Sequence, residues 1–187
     1  KELNLSCEKL KNLNLQGCTE LTEIKLSNCN SITDLDFSGY TKLKNLKLSC
    51  ENLKNLNLQG CTELAKIKLS DCKEIIDLDL SSCAKLYYIE SIDLNKLENV
   101  NLSGCTQLDR INLFCENLRN LNLLGCTELT EISLRGCKAI VDLDLSEHTK
   151  LTKVDLYHLD KLETINLSGC TALESIKGNP DSYHTDK

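Results

Sequence analysis

Twelve cysteines in 187 residues are the first candidates for chemistry. A thiol can hold a metal, form a bridge or attack a substrate, and each use has its own spacing and surroundings. Here the closest pair, Cys105 and Cys115, is ten residues apart and no C-x-x-C occurs, so zinc-type spacing is absent. All twelve fall at one position of a recurring segment, a position held elsewhere by Tyr40, Leu94, His148 and Leu159. A position that accepts those residues is a buried corner, where a free cysteine acts as a small apolar filler. Stacked neighbours such as Cys61, Cys83, Cys105 and Cys126 come within reach of bridging. Oxidising surroundings would then scramble them, which favours a reducing compartment.

The remaining polar chemistry falls into two sets. Paired carboxylates recur as Asp34 with Asp36, Asp77 with Asp79, and Asp142 with Asp144. Hard cations favour such oxygens. Asn12, Asn14, Asn55, Asn57, Asn99, Asn101, Asn120 and Asn122 hold the same positions in other segments, however. That alternation reads better as a solvated ladder that keeps like charges apart. The second set is basic and aromatic: Lys66, Lys68, Tyr87, Tyr88, Ile92, Arg110 and Phe114. Aromatic and arginine clusters mark binding hot spots, and these seven are the candidate protein-binding residues. The three histidines, His148, His158 and His184, form no catalytic grouping, so no enzyme activity and no cofactor or metal is expected.

The elements that position these residues follow from one repeat. L-K-N-L-N-L-Q-G-C-T-E-L occurs identically at Leu10–Leu21 and Leu53–Leu64, and nearly so at Leu118–Leu129. Looser copies of its eleven-residue unit, L-x-x-L-x-L-x-x-C-x-x, run from Leu3 to Ile176. Seven of eight glycines precede the cysteine position, a density that a helix would not tolerate. In L-x-L the two leucines share one face of a short strand, and the glycine position suits a turn with positive φ. Asn28, Asp71 and Asp93 stand at that same turn position.

Alternate units differ. One set carries Asn or Asp between its leucines and the other is mixed, so the true coil is about 22 residues long. The expected fold is a β-solenoid of about eight coils, two short parallel strands per coil and one sheet per face, with little or no helix. Like units stack roughly 4.8 Å apart, which puts Lys25, Lys47 and Lys68 in one column and Tyr88 between Lys66 and Arg110. The solenoid is expected to cover residues 1–176 as a fragment of a longer chain, with a polar tail over 177–187. Its first coil has no polar cap, which invites edge-to-edge self-association.

The motif L-x-x-L-x-L-x-x-C-x-x-L resembles the conserved segment of leucine-rich repeats in the variant where cysteine replaces asparagine. Its form L-x-x-L-x-L-S-G-C-x-x-L, at Leu97–Leu108 and Leu162–Leu173, is similar to repeats of plant immune receptors. The nested period of 11 and 22 residues more closely resembles the bacterial class called IRREKO. The resemblance implies a protein-binding recognition domain of a larger receptor, surface protein or bacterial effector. A structural spacer and a cation or inorganic-surface binder working through the Asn/Asp ladder are the alternatives.

Net charge of -6 argues against nucleic acid as a partner. No apolar run is long enough for membrane insertion. The expected setting is cytoplasmic or another reducing compartment, delivery into a host cell included, with a surface location left open.

Overall fold

The computed structural model describes residues 1–178. Sixteen strands wind as a parallel β-solenoid of about eight coils, and no α-helix occurs among the described residues. In chain order they are β1 Glu2–Ser6, β2 Glu23–Ser27, β3 Asp34–Asp36, β4 Asn45–Ser49, β5 Asn55–Asn57 and β6 Lys66–Ser70. Next come β7 Asp77–Asp79, β8 Tyr88–Ile92, β9 Asn99–Asn101, β10 Arg110–Phe114 and β11 Asn120–Asn122. The last are β12 Glu131–Ser133, β13 Asp142–Asp144, β14 Lys153–Leu156, β15 Thr164–Asn166 and β16 Ser175–Gly178.

Each strand buries alternate residues because side chains on a strand point to opposite faces. Ile24 and Leu26 on β2, and Ile89 and Ser91 on β8, are buried within the coil while their neighbours face out. Between strands the chain must reverse within a few residues. Gly60 turns at φ +78, and Asn28, Asp71 and Asp93 hold the same left-handed conformation, as their shared position predicts. Glu147 and His158 adopt it too; histidine is enriched in that region, whereas glutamate is not.

One expectation needs correction: only one of the two faces is a single sheet. The face formed by β1, β2, β4, β6, β8, β10, β12, β14 and β16 is continuous over nine strands. The Asn/Asp face is cut into three pieces, β3–β5, β7–β9–β11 and β13–β15, and residues 12–14 of the first coil form no strand. Every piece begins on an Asp-Leu-Asp strand.

The breaks coincide with the absence of a side-chain donor in the later coil. In each joined pair the later coil gives a hydrogen to the earlier one. Asn99 Nδ2 donates to Asp77 Oδ1 at 2.6 Å, Asn101 to Asp79 at 3.1 Å and Asn120 to Asn99 at 2.6 Å. Thr164 likewise donates to Asp142 at 2.5 Å. Asp34, Asp77 and Asp142 have only acceptor oxygens to offer backwards, and there the sheet breaks.

Most cysteines line the corners as expected. Nine are buried, Cys170 is half-buried, and Cys7 and Cys18, in the first coil, are exposed. All twelve are free thiols. Several thiols on the Asn/Asp side donate across the coil boundary: Cys61 to the Phe37 carbonyl at 3.2 Å, Cys105 to Leu80 and Cys126 to Leu102, each at 3.3 Å.

At two of the breaks a hydroxyl replaces the thiol at the equivalent carbonyl. Tyr40 Oη donates to Leu15, and Ser82 Oγ donates to Leu58 at 3.1 Å while accepting from the Gly60 amide. Burial pushes the thiols up, Cys61 and Cys105 to about 12 and Cys126 to about 11, so they stay protonated at neutral pH.

The first described coil is packed on one side only. Leu3, Leu5, Leu13 and Leu15 are only half-buried, and β1 ends the nine-stranded sheet with one edge unpaired. At the other end β16 pairs with β14 through Lys177 and Gly178, two residues beyond the last repeat position read from sequence. The rest of the expected tail lies outside the described residues.

Candidate functional site

The seven candidate residues all lie on or beside the continuous sheet. Register sets Lys66, Tyr88 and Arg110 opposite one another on β6, β8 and β10, the order read from the repeat. Lys66 Nζ stands 4.9 Å from the Tyr88 ring centre and Lys68 Nζ 5.6 Å, so the ring is flanked by two cations. Lys68 is also paired with Glu90 in the next coil. That partner raises the Lys68 pKa, and the ammonium lowers that of Glu90. Arg110 reaches Asp109 at 3.3 Å and, more loosely, Glu131 at 3.9 Å.

Ile92 and Phe114 face out at the far end of the same two strands and are register partners. Their side chains are 44% and 39% exposed, and Tyr87, just before β8, is 46% exposed. These values decide between interior packing and surface: all three keep large apolar area in water. Phe114 is not idle, because its ring lies over the turn of the next coil, where a Cβ on Gly136 would come within 2.5 Å of it. Gly136 is buried beneath that ring. Glycine is required there twice over, by the ring and by φ +77.

The structure extends this strip by two residues that the sequence reading did not single out. Arg135 and Tyr157 continue the Ile92–Phe114 column into the next coils, with the guanidinium carbon 5.2 Å from the Tyr157 ring and 2.9 Å from guanidinium nitrogen to Asp155. The signal was present in the residue that follows each second strand leucine, which is Ser in Ser27, Ser49 and Ser70 and then turns large. Lys25, Lys47 and Lys68 stand in register on β2, β4 and β6.

The Asn/Asp face carries a broad open hollow of about 1340 Å³ over its first coils, lined by Asn14, Asp34, Asp36, Asn55, Asn57 and Asp77 among others. Its carboxylates are already engaged. Hydrogen bonds from Asn55 and Thr33 lower the Asp34 pKa, and the Ser38 amide does the same for Asp36. Among the described residues no group of three or more His, Cys, Asp or Glu is arranged to hold a metal ion.

Leucine rungs wound inward, polar residues between them and thiols at the corners decide the architecture. The chain is a parallel β-solenoid with about 22 residues per coil. No family model matches the sequence, and no curated protein matches it. A solved structure that resembles this repeat fold is described as the functional domain of InlJ from Listeria monocytogenes, which includes a cysteine ladder. The likeness covers 92% of this chain and 54% of that one at 17% identity, with a TM-score of 0.35. The chain therefore spans about half the length of that structure.

Proposed function

We propose that this solenoid is a protein-recognition domain, of the nested 11/22-residue class of leucine-rich repeats, that serves a larger receptor, surface protein or effector and performs no catalysis. One observation carries the reading: Tyr87, Ile92 and Phe114 keep large apolar surface exposed on a continuous sheet, beside the cation-flanked Tyr88. Exposed apolar and aromatic groups on a rigid support favour protein contacts. The opposite face has spent its polar groups on its own ladder, which argues against the cation-binding alternative. Thiols held protonated at the corners suit a filling role and reducing surroundings better than nucleophilic chemistry.

The test is a crosslinking pull-down with the chain as bait. Capture lost by Tyr88→Ala with Ile92→Ser, and kept by Asn99→Ser with Asn101→Ser, supports this face as the recognition surface. The reverse pattern, or capture unchanged by both pairs, refutes it. Phe114→Ala is a poorer probe because uncovering Gly136 also lowers the melting temperature.

The uncapped first coil is proposed as a second contact, by edge pairing of β1 with another copy. Concentration-dependent sedimentation that disappears in a Leu3→Lys, Leu5→Lys variant supports it; concentration-independent sedimentation of the parent chain refutes it.

A further inference from the structure

We propose that the segment recognised by the continuous face is an extended, acidic stretch of polypeptide that places a large apolar side chain beyond its carboxylates. This rests on the reading of that face as a protein-recognition surface and specifies its partner.

Many lysines of this molecule reach back to a glutamate of the preceding coil, as at Lys42–Glu20, Lys85–Glu63 and Lys138–Glu116. On β2 and β4 the outward lysines form no such pair. Lys25, Lys47 and Lys68 stand directly opposite one another, and no carboxylate of the described residues comes within 4.0 Å of Lys25, Lys47 or the adjacent Lys44. Glu23 shares a strand with Lys25 without closing a pair. Like charges opposite one another on a sheet destabilise it. A chain with a net charge of -6 has carboxylates to spare, yet the three lysines have one among their register neighbours, Glu90 beside Lys68. The unspent positive charge is available to an anionic partner.

What lies next to the column selects the class of anion. On the next two strands, Ile92 and Phe114 form an exposed apolar pair on the same face. A sulfated glycan would meet the lysines and leave that pair in water, and the net charge of -6 disfavours a nucleic acid. A polypeptide can satisfy both halves, with carboxylates over Lys25 and Lys47 and an aromatic or aliphatic side chain over Ile92 and Phe114. From β2 to β10 the sheet advances four strand steps, roughly 19 Å. About six extended residues cover that distance.

The experiment is selection of a displayed random library of peptides about ten residues long, enough to span the face, followed by anisotropy titration of the enriched peptides. Enrichment of Asp and Glu with a bulky apolar residue to one side is expected. Charge reversal in Lys25→Glu with Lys47→Glu should weaken those peptides roughly tenfold, and raised salt should weaken them too. Lys47→Glu alone removes repulsion within the column, so its melting temperature should hold or rise, which separates lost binding from lost folding.

Enriched peptides without acidic bias, or indifferent to charge reversal, overturn the proposal. So does equal competition by a single-stranded oligonucleotide or a sulfated oligosaccharide. Neutral peptides that still need Ile92 overturn it while leaving protein recognition standing. An empty selection also overturns it, and the pull-down then decides separately whether the face recognises protein at all.

Discussion

The two faces of this solenoid are built from the same repeat, yet one is a single nine-stranded sheet and the other is three short ones. The continuous face buries the first inward residue of every strand from β2 to β14, whereas Leu56, Leu121 and Ile165, on the last strand of each piece of the other face, are only half-buried. The outward residues differ as well. On the broken face each coil leans on its predecessor through side-chain amides, and a coil carrying Asp in both outward positions has no hydrogen to give. On the continuous face strands of up to five residues pair along the backbone and carry unlike side chains outward.

The largest effect expected reaches the thiol corners of both faces at once. Cys50, Cys61, Cys105 and Cys137 are raised from 9.0 to about 12 by burial. A raised native pKa means that the folded chain keeps protons which the unfolded chain releases. Stability is therefore full below pH 9 and falls as pH rises from there towards 12. Thermal melts from pH 7 to 11 should show a plateau and then a steep decline. A flat profile would mean that the thiols are not buried. Alkylation under native conditions at pH 8 should mark Cys7 and Cys18 first, read by peptide mass spectrometry.

Next in size is a direct comparison of rungs. Ile111→Ala, in the buried row of the continuous face, should cost about 2–5 kcal/mol by denaturant unfolding. Leu56→Ala, half-buried beside a break, should cost roughly half as much. Equal losses would remove the distinction between the faces.

Smaller still is Ser82→Ala. It deletes the hydroxyl that spans the break between β5 and β7 and should cost about 1 kcal/mol. The smallest effect is also the sharpest test. Asp77→Asn with Asp79→Asn supplies the missing donors and should slow amide exchange around Leu58 several-fold while changing overall stability by only about 0.5 kcal/mol. Unchanged exchange would show that donation does not set the breaks.

Much of this architecture was legible in the sequence because a repeat fixes register once its period is known. The stacking of Tyr88 between Lys66 and Arg110, the lysine column and the positive-φ turns at Asn28 and Asp71 all follow from counting residues. The breaks were not legible. Asn14 and Asp36 look interchangeable as outward polar residues, and only the direction of donation between coils tells them apart. The exposure of Cys7 and Cys18 depends on what precedes the first coil, which no repeat position encodes. Arg135 and Tyr157 escaped notice because neighbours in the stack lie more than twenty residues apart along the chain.

The interrupted face also determines how the molecule yields mechanically. A beam that is stitched along one side and slit at intervals on the other flexes by opening its slits. Thermal bending of this rod should therefore concentrate at the coils that begin with Asp34, Asp77 and Asp142, while the lysine and aromatic side keeps its spacing. The proposed recognition surface would keep its strand spacing because the compliance sits behind it.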